Sequence, residues 1–96
     1  MRAEYDSQAD ALSIDVIVTE RWDHGEGVDE DYCTVAFAKD RLANVELLSP
    51  RDHLDLLETA AGKYDLDAEM LRAAATAALA APDRMVTLEV ASRASA

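Results

Sequence analysis

An α+β fold is predicted: a small, mainly antiparallel sheet of four or five strands with two helices packed on one face. Three observations lead there. Residues 1–50 are rich in β-branched and aromatic side chains at a period of two, and residues 51–96 are rich in Leu and Ala at helical spacing. The connections between the early strands are also too short for parallel crossovers, which need about a dozen residues or more. At 96 residues the chain has the length of one domain. It divides into a β-meander over 1–49, two helices over 50–81 and a final strand over 85–90.

Ala3 and Tyr5 alternate with charged neighbours, which predicts a first strand over Arg2–Tyr5. The segment Asp6-Ser7-Gln8-Ala9-Asp10 has the side chains that bond their own backbone in turns. Ala11–Val18 reads as the second strand, with Leu12, Ile14, Val16 and Val18 inward, although Ile17 breaks the alternation. Glu20–Asp31 has no apolar period and reads as a loop or a poorly ordered strand pair. Tyr32–Ala38 follows as a strand with Cys33, Val35 and Phe37 on one side. Lys39-Asp40-Arg41 turns the chain into Leu42–Leu48, where Val45 and Leu47 face the core.

Ser49-Pro50-Arg51-Asp52 has the form of a helix start, with Ser as cap, Pro at the first helical position and Asp closing the box. The helix carries Leu54, Leu57 and Ala61 at helical spacing, and Gly62 is its expected left-handed stop. Asp65, Asp67 and Glu69 place negative charge at the start of a second helix, where the dipole favours it. That helix runs to Ala81, because Pro82 cannot continue it. Its apolar positions are Leu66, Met70, Ala74, Ala77, Ala78 and Ala81. Val86, Leu88 and Val90 alternate with polar residues as a last strand, and Ala91–Ala96 is expected to fray.

The composition excludes several function classes. Nine basic against twenty acidic residues give a formal net charge of −11. Binding to phosphates needs clustered Lys and Arg, so neither direct nucleic-acid binding nor an anionic membrane surface is expected. The longest uncharged stretch is too short and too rich in Ala to span a bilayer, and acids near the N-terminus do not suit a secretory signal. With Cys33 as the single cysteine, no intramolecular disulfide can form. A cytoplasmic protein is expected.

Tyr5-Asp6, then Ala9-Asp10-Ala11-Leu12 with Ile14, then Val45-Glu46-Leu47-Leu48 resemble a family of small prokaryotic proteins catalogued as domain of unknown function 2283. The resemblance covers the first half of the chain. Arg41 and Asn44 stand where members of that family tend to carry glycines, which puts the hairpin between the third and fourth strands in doubt. The resemblance implies a small antiparallel sheet with helical packing and no established activity. Members are often encoded near small suspected toxins, which makes an antitoxin-like role thinkable.

Asp6 and Asp10 flank a turn. Paired carboxylates can do acid–base work when their pKa values are pushed apart, but Asp is also the residue that turns select, and a structural role is the expectation. Glu20–Asp31 holds six acids in twelve residues, with Gly25 and Gly27. The spacing does not match a helix–loop–helix cation loop, so a docking surface for a basic partner is favoured, formed by Trp22, Asp23, Glu26, Asp29, Glu30 and Asp31. His24, Cys33 and His53 lack the paired spacing of zinc ligands. No metal, cofactor or catalytic motif is expected.

The alanine stripe Ala74, Ala77, Ala78 and Ala81 is either core or a subunit contact. Together with open sheet edges it suggests a homodimer or higher homo-oligomer. Three readings therefore rank in order. The first is a homo-oligomeric interaction module for a basic partner, and the second is a purely structural homo-oligomer. The third is a metal-binding or hydrolytic protein using Asp6, Asp10 and the acidic loop.

Overall fold

The computed structural model describes residues 1–89. Six strands, all antiparallel, form one sheet in the order β3-β4-β5-β2-β1-β6. They are β1 (Arg2–Asp6), β2 (Ala11–Asp15), β3 (His24–Asp29), β4 (Cys33–Ala38), β5 (Arg41–Leu48) and β6 (Met85–Thr87). The helices α1 (Asp55–Tyr64) and α2 (Ala68–Ala80) follow β5 and precede β6. The chain thus forms a β1–β2 hairpin and a β3–β4–β5 meander, joined by pairing of β5 with β2. Val90 and the Ala91–Ala96 tail lie outside the described residues.

The core is the layer between the sheet and the helices. Alternation brings Ala3, Tyr5, Leu12, Ile14, Val35, Val45 and Leu47 inward. They meet Leu57 and Ala61 of α1 and Leu71, Ala74, Ala75 and Ala78 of α2. The buried stripe of α2 is turned slightly from the expected one. Leu71 and Ala75 replace Met70 and Ala77, which are half-buried at its flank. Ala74 and Ala78 are wholly enclosed within the chain. Their small side chains admit the helix close to β1 and β2, so these two alanines, expected at a subunit contact, serve as core of the chain itself. Ala81, just past the end of α2, is half-buried.

The structure corrects several element boundaries. β2 ends at Asp15 because the Val16 and Ile17 amides both donate to the Ala43 carbonyl, at 2.8 and 3.1 Å, which breaks the ladder. Ser49 does not cap a helix. It sits in the left-handed region (φ 45°) with its amide on the Asp10 carbonyl, and Pro50 opens only a short 3-10 turn. Gly62 lies inside α1, which stops instead at Asp65 in the left-handed conformation (φ 56°). The carboxylate of Asp67 caps α2, accepting from the Glu69 and Met70 amides.

One pairing that the sequence leaves open, and one correction, concern the sheet. The final strand pairs with β1, bringing Val86 opposite Ala3. The acidic segment contributes β3, an edge strand, so the sheet has six strands where four or five were expected. β3 is held from the core side. His24 stacks on Phe37 at 4.7 Å, and Glu26 accepts a 2.9 Å hydrogen bond from Tyr64 of α1.

Candidate functional site: a groove on the outer sheet face

The face of the sheet opposite the helices is set by strand parity. Two rows of facing residues cross it. One runs Asp15, Asn44, Ala36, Gly25, and the next runs Ser13, Glu46, Thr34, Gly27. Because β3 supplies glycines to both rows, the sheet has a floor without side chains at that edge. The chain between β2 and β3 brings Trp22 and Asp23 alongside. The result is an open groove of about 460 Å³ bounded by Trp22, Asp23 and Glu46 and floored by Gly25, Gly27 and Ala36. No Lys or Arg lines it among the described residues.

Each wall is positioned by identifiable contacts. The Asp23 amide donates to the Phe37 carbonyl at 2.7 Å, and its carboxylate accepts from the Lys39 amide at 2.6 Å. This anchors the segment carrying Trp22, whose side chain is left 52 % exposed. Asn44 is 2 % exposed, the one buried polar residue among those described. Its amide nitrogen donates to Ser13 Oγ at 2.8 Å and Asp15 Oδ1 at 2.9 Å. Asp15 is in turn held by Arg2, 2.8 Å away. A Cβ at Gly27 would meet nothing within 4 Å, whereas one at Gly25 would come to 3.2 Å from the Val35 carbonyl oxygen.

The six residues expected from the sequence to bind a partner divide into two groups. Trp22, Asp23 and Glu26 border the groove, although the Glu26 carboxylate is turned to Tyr64 and lies 3.7 Å from His24. Asp29 ends β3, and Glu30 and Asp31 lie in the turn after it. The Asp29 carboxylate accepts from the Asp31 and Tyr32 amides and so has a structural task. Glu46 and Asn44, missed as site residues, were signalled by their alternation with Val45 and Leu47, which sends them to the outer face.

Asp6 accepts from the Gln8 and Ala9 amides, the expected turn contact. Asp10 instead takes the Tyr5 hydroxyl at 2.6 Å, a bond that raises the Tyr5 pKa, with burial adding to it. β1 and β3 stand at four strand spacings, roughly 19 Å at about 4.8 Å each, so Asp6 does not join the acidic segment in one site. Among the described residues no three His, Cys, Asp or Glu side chains are placed to share an ion. Cys33 is buried, and that burial, with Asp29 nearby, pushes its thiol up to about 11.

No family model, curated protein or solved structure matches this chain. Among the described residues no helix is long and apolar enough to cross a membrane.

Proposed function

We propose that this protein is an interaction module that docks a basic, extended segment of a partner protein along β3 and the adjoining groove. The observation that carries this reading is the groove itself: carboxylates and a half-exposed Trp surround a bare strand floor, with no Lys or Arg among the lining. It lies beside an unpaired sheet edge, whose outward N–H and C=O groups are a template for another strand. With Glu26 and Asp29 on β3, a second copy pairing there would set like charges against each other, which is destabilising. A basic strand meets complementary charge instead. An overall charge of −11 favours rapid encounter with such a partner. A homodimer, if formed, uses a surface other than Ala74 and Ala78. A reducing, cytoplasmic setting suits the free thiol and belongs to the same proposal.

The test is an amide-resolved NMR titration of the full chain with a short peptide alternating Arg and Val, and with its Glu-Val counterpart. Saturable shifts confined to residues 22–36 and 44–46, for the basic peptide alone, are expected. Absence of saturable binding, or shifts centred on α1 and α2, refutes the reading.

A further inference from the structure

We propose that the groove is a slot for one arginine side chain of that partner, its stem crossing the glycines of β3 and its guanidinium lying over β4 between Trp22 and the acceptors of β5. The inference rests on the docking reading above and adds which side chain is read. Its basis is the chemistry of the lining. Asp15 Oδ1 is a carboxylate oxygen and can only accept, so the end of the Asn44 amide turned towards it must be the NH₂. Both amide hydrogens are used on β2, at Ser13 and Asp15, which leaves Asn44 Oδ1 as the acceptor on the side away from β2. That oxygen has no donor among the described residues, and because no fully buried side-chain oxygen there is left without a partner, it stays open to the groove. Glu46 stands two residues further along the same face, exposed and without a hydrogen bond or ion pair among the described residues.

The spacing suits a planar, multidentate donor. Two residues along a strand separate Asn44 and Glu46 by about 6.8 Å. Two N–H···O bonds of about 2.9 Å on opposite edges of a guanidinium reach across roughly that span. Trp22 supplies an aromatic wall, on which a guanidinium stacks favourably. The glycines of β3 remove the Cβ atoms that would hold the arginine stem away from the strand. Lysine, a point charge without a plane or fork, satisfies fewer of these groups.

Trp22 is the only tryptophan, so its fluorescence reports directly on the slot. The full chain is titrated with N-acetyl-arginine N-methylamide and with the lysine and citrulline analogues. Expected are a saturable change for arginine in the millimolar range, a response at least fivefold weaker for lysine, and none for citrulline. Gly27→Val fills open space and should weaken the arginine response tenfold or more. Glu46→Gln, nearly isosteric and exposed, carries the same expectation should the valine disturb β3, with circular dichroism confirming the fold of each. Equal responses to arginine and lysine, no arginine response, or an unchanged response in folded Gly27→Val and Glu46→Gln overturn the slot. Binding of the Arg-Val peptide without a response to the single arginine removes the slot and leaves the docking reading. A specific arginine response without peptide binding does the reverse.

Discussion

Replacing Ala74 by Glu separates a core position from a subunit contact. Ala74 is 0 % exposed, enclosed between α2 and the sheet with Leu12, Ile14 and Leu71 in the same core. A glutamate there adds volume to a filled layer, at about 1–3 kcal/mol. Its carboxylate has no buried cation to meet, and an unpaired buried charge costs about 3–5 kcal/mol. The combined loss is about 4–8 kcal/mol. A chain of 96 residues is stable by roughly 5–14 kcal/mol at about 0.05–0.15 kcal/mol per residue. At the middle of both ranges, Ala74→Glu therefore removes more than half of the stability. Ala73→Glu, one residue earlier and exposed, should change stability by no more than about 0.5 kcal/mol. Far-UV circular dichroism and urea denaturation, alongside native mass spectrometry, read both. If Ala74→Glu keeps a wild-type urea midpoint and only lowers the assembly mass, the helix face is a subunit contact and the burial argument fails.

Other expectations follow from particular contacts. Lys39 and Asp40 have φ of 51° and 67°, a two-residue turn of the kind that favours Asn-Gly. The double change Lys39→Asn with Asp40→Gly should stabilise by about 0.5–1.5 kcal/mol, the relief of left-handed strain exceeding the added freedom of the unfolded chain. Thermal melts should show a rise of about 2–8 °C, and a fall would refute this turn geometry. Asp83 accepts from the Ser7 hydroxyl and amide, which lower its pKa below the usual 3.8. The folded state then holds fewer protons than the unfolded one, so this contribution is present above pH 3.8 and lost as pH falls through the lower folded value. Acid titration of Asp83→Asn should show a shallower loss of stability; an unchanged profile would refute it. A Cys33 thiol near 11, against its ordinary 9.0, holds about a hundredfold less thiolate at pH 8. Ellman's reagent should label the native protein at least that much more slowly than the urea-unfolded chain, and comparable rates would place the thiol at the surface.

Much of the fold was legible because its signals are local. Alternation in Arg2–Tyr5, Tyr32–Ala38 and Leu42–Leu48 marks strands, since successive side chains must leave opposite faces. Asp6 and Asp67 bond amides two and three residues away, contacts that a short stretch of sequence already specifies. Pro82 likewise had to lie outside α2. These choices depend on neighbours within one turn or one hairpin.

Ser49 and Gly62 show where local signals lose. The Ser49 amide is claimed by Asp10, far back in the chain, and α1 passes through Gly62 because Leu57, Ala60 and Ala61 are buried on the turns around it. Only tertiary structure decided that His24–Asp29, poor in strand-forming side chains, becomes a strand. The open edge of β4 receives its backbone, while Phe37 and Tyr64 hold His24 and Glu26. The same holds for the groove. Asn44 and Glu46 are predictable as outward residues of β5, but their meeting with Gly25, Gly27 and Trp22 depends on sheet order. That order is set by pairings between residues far apart in the chain, which no local pattern specifies.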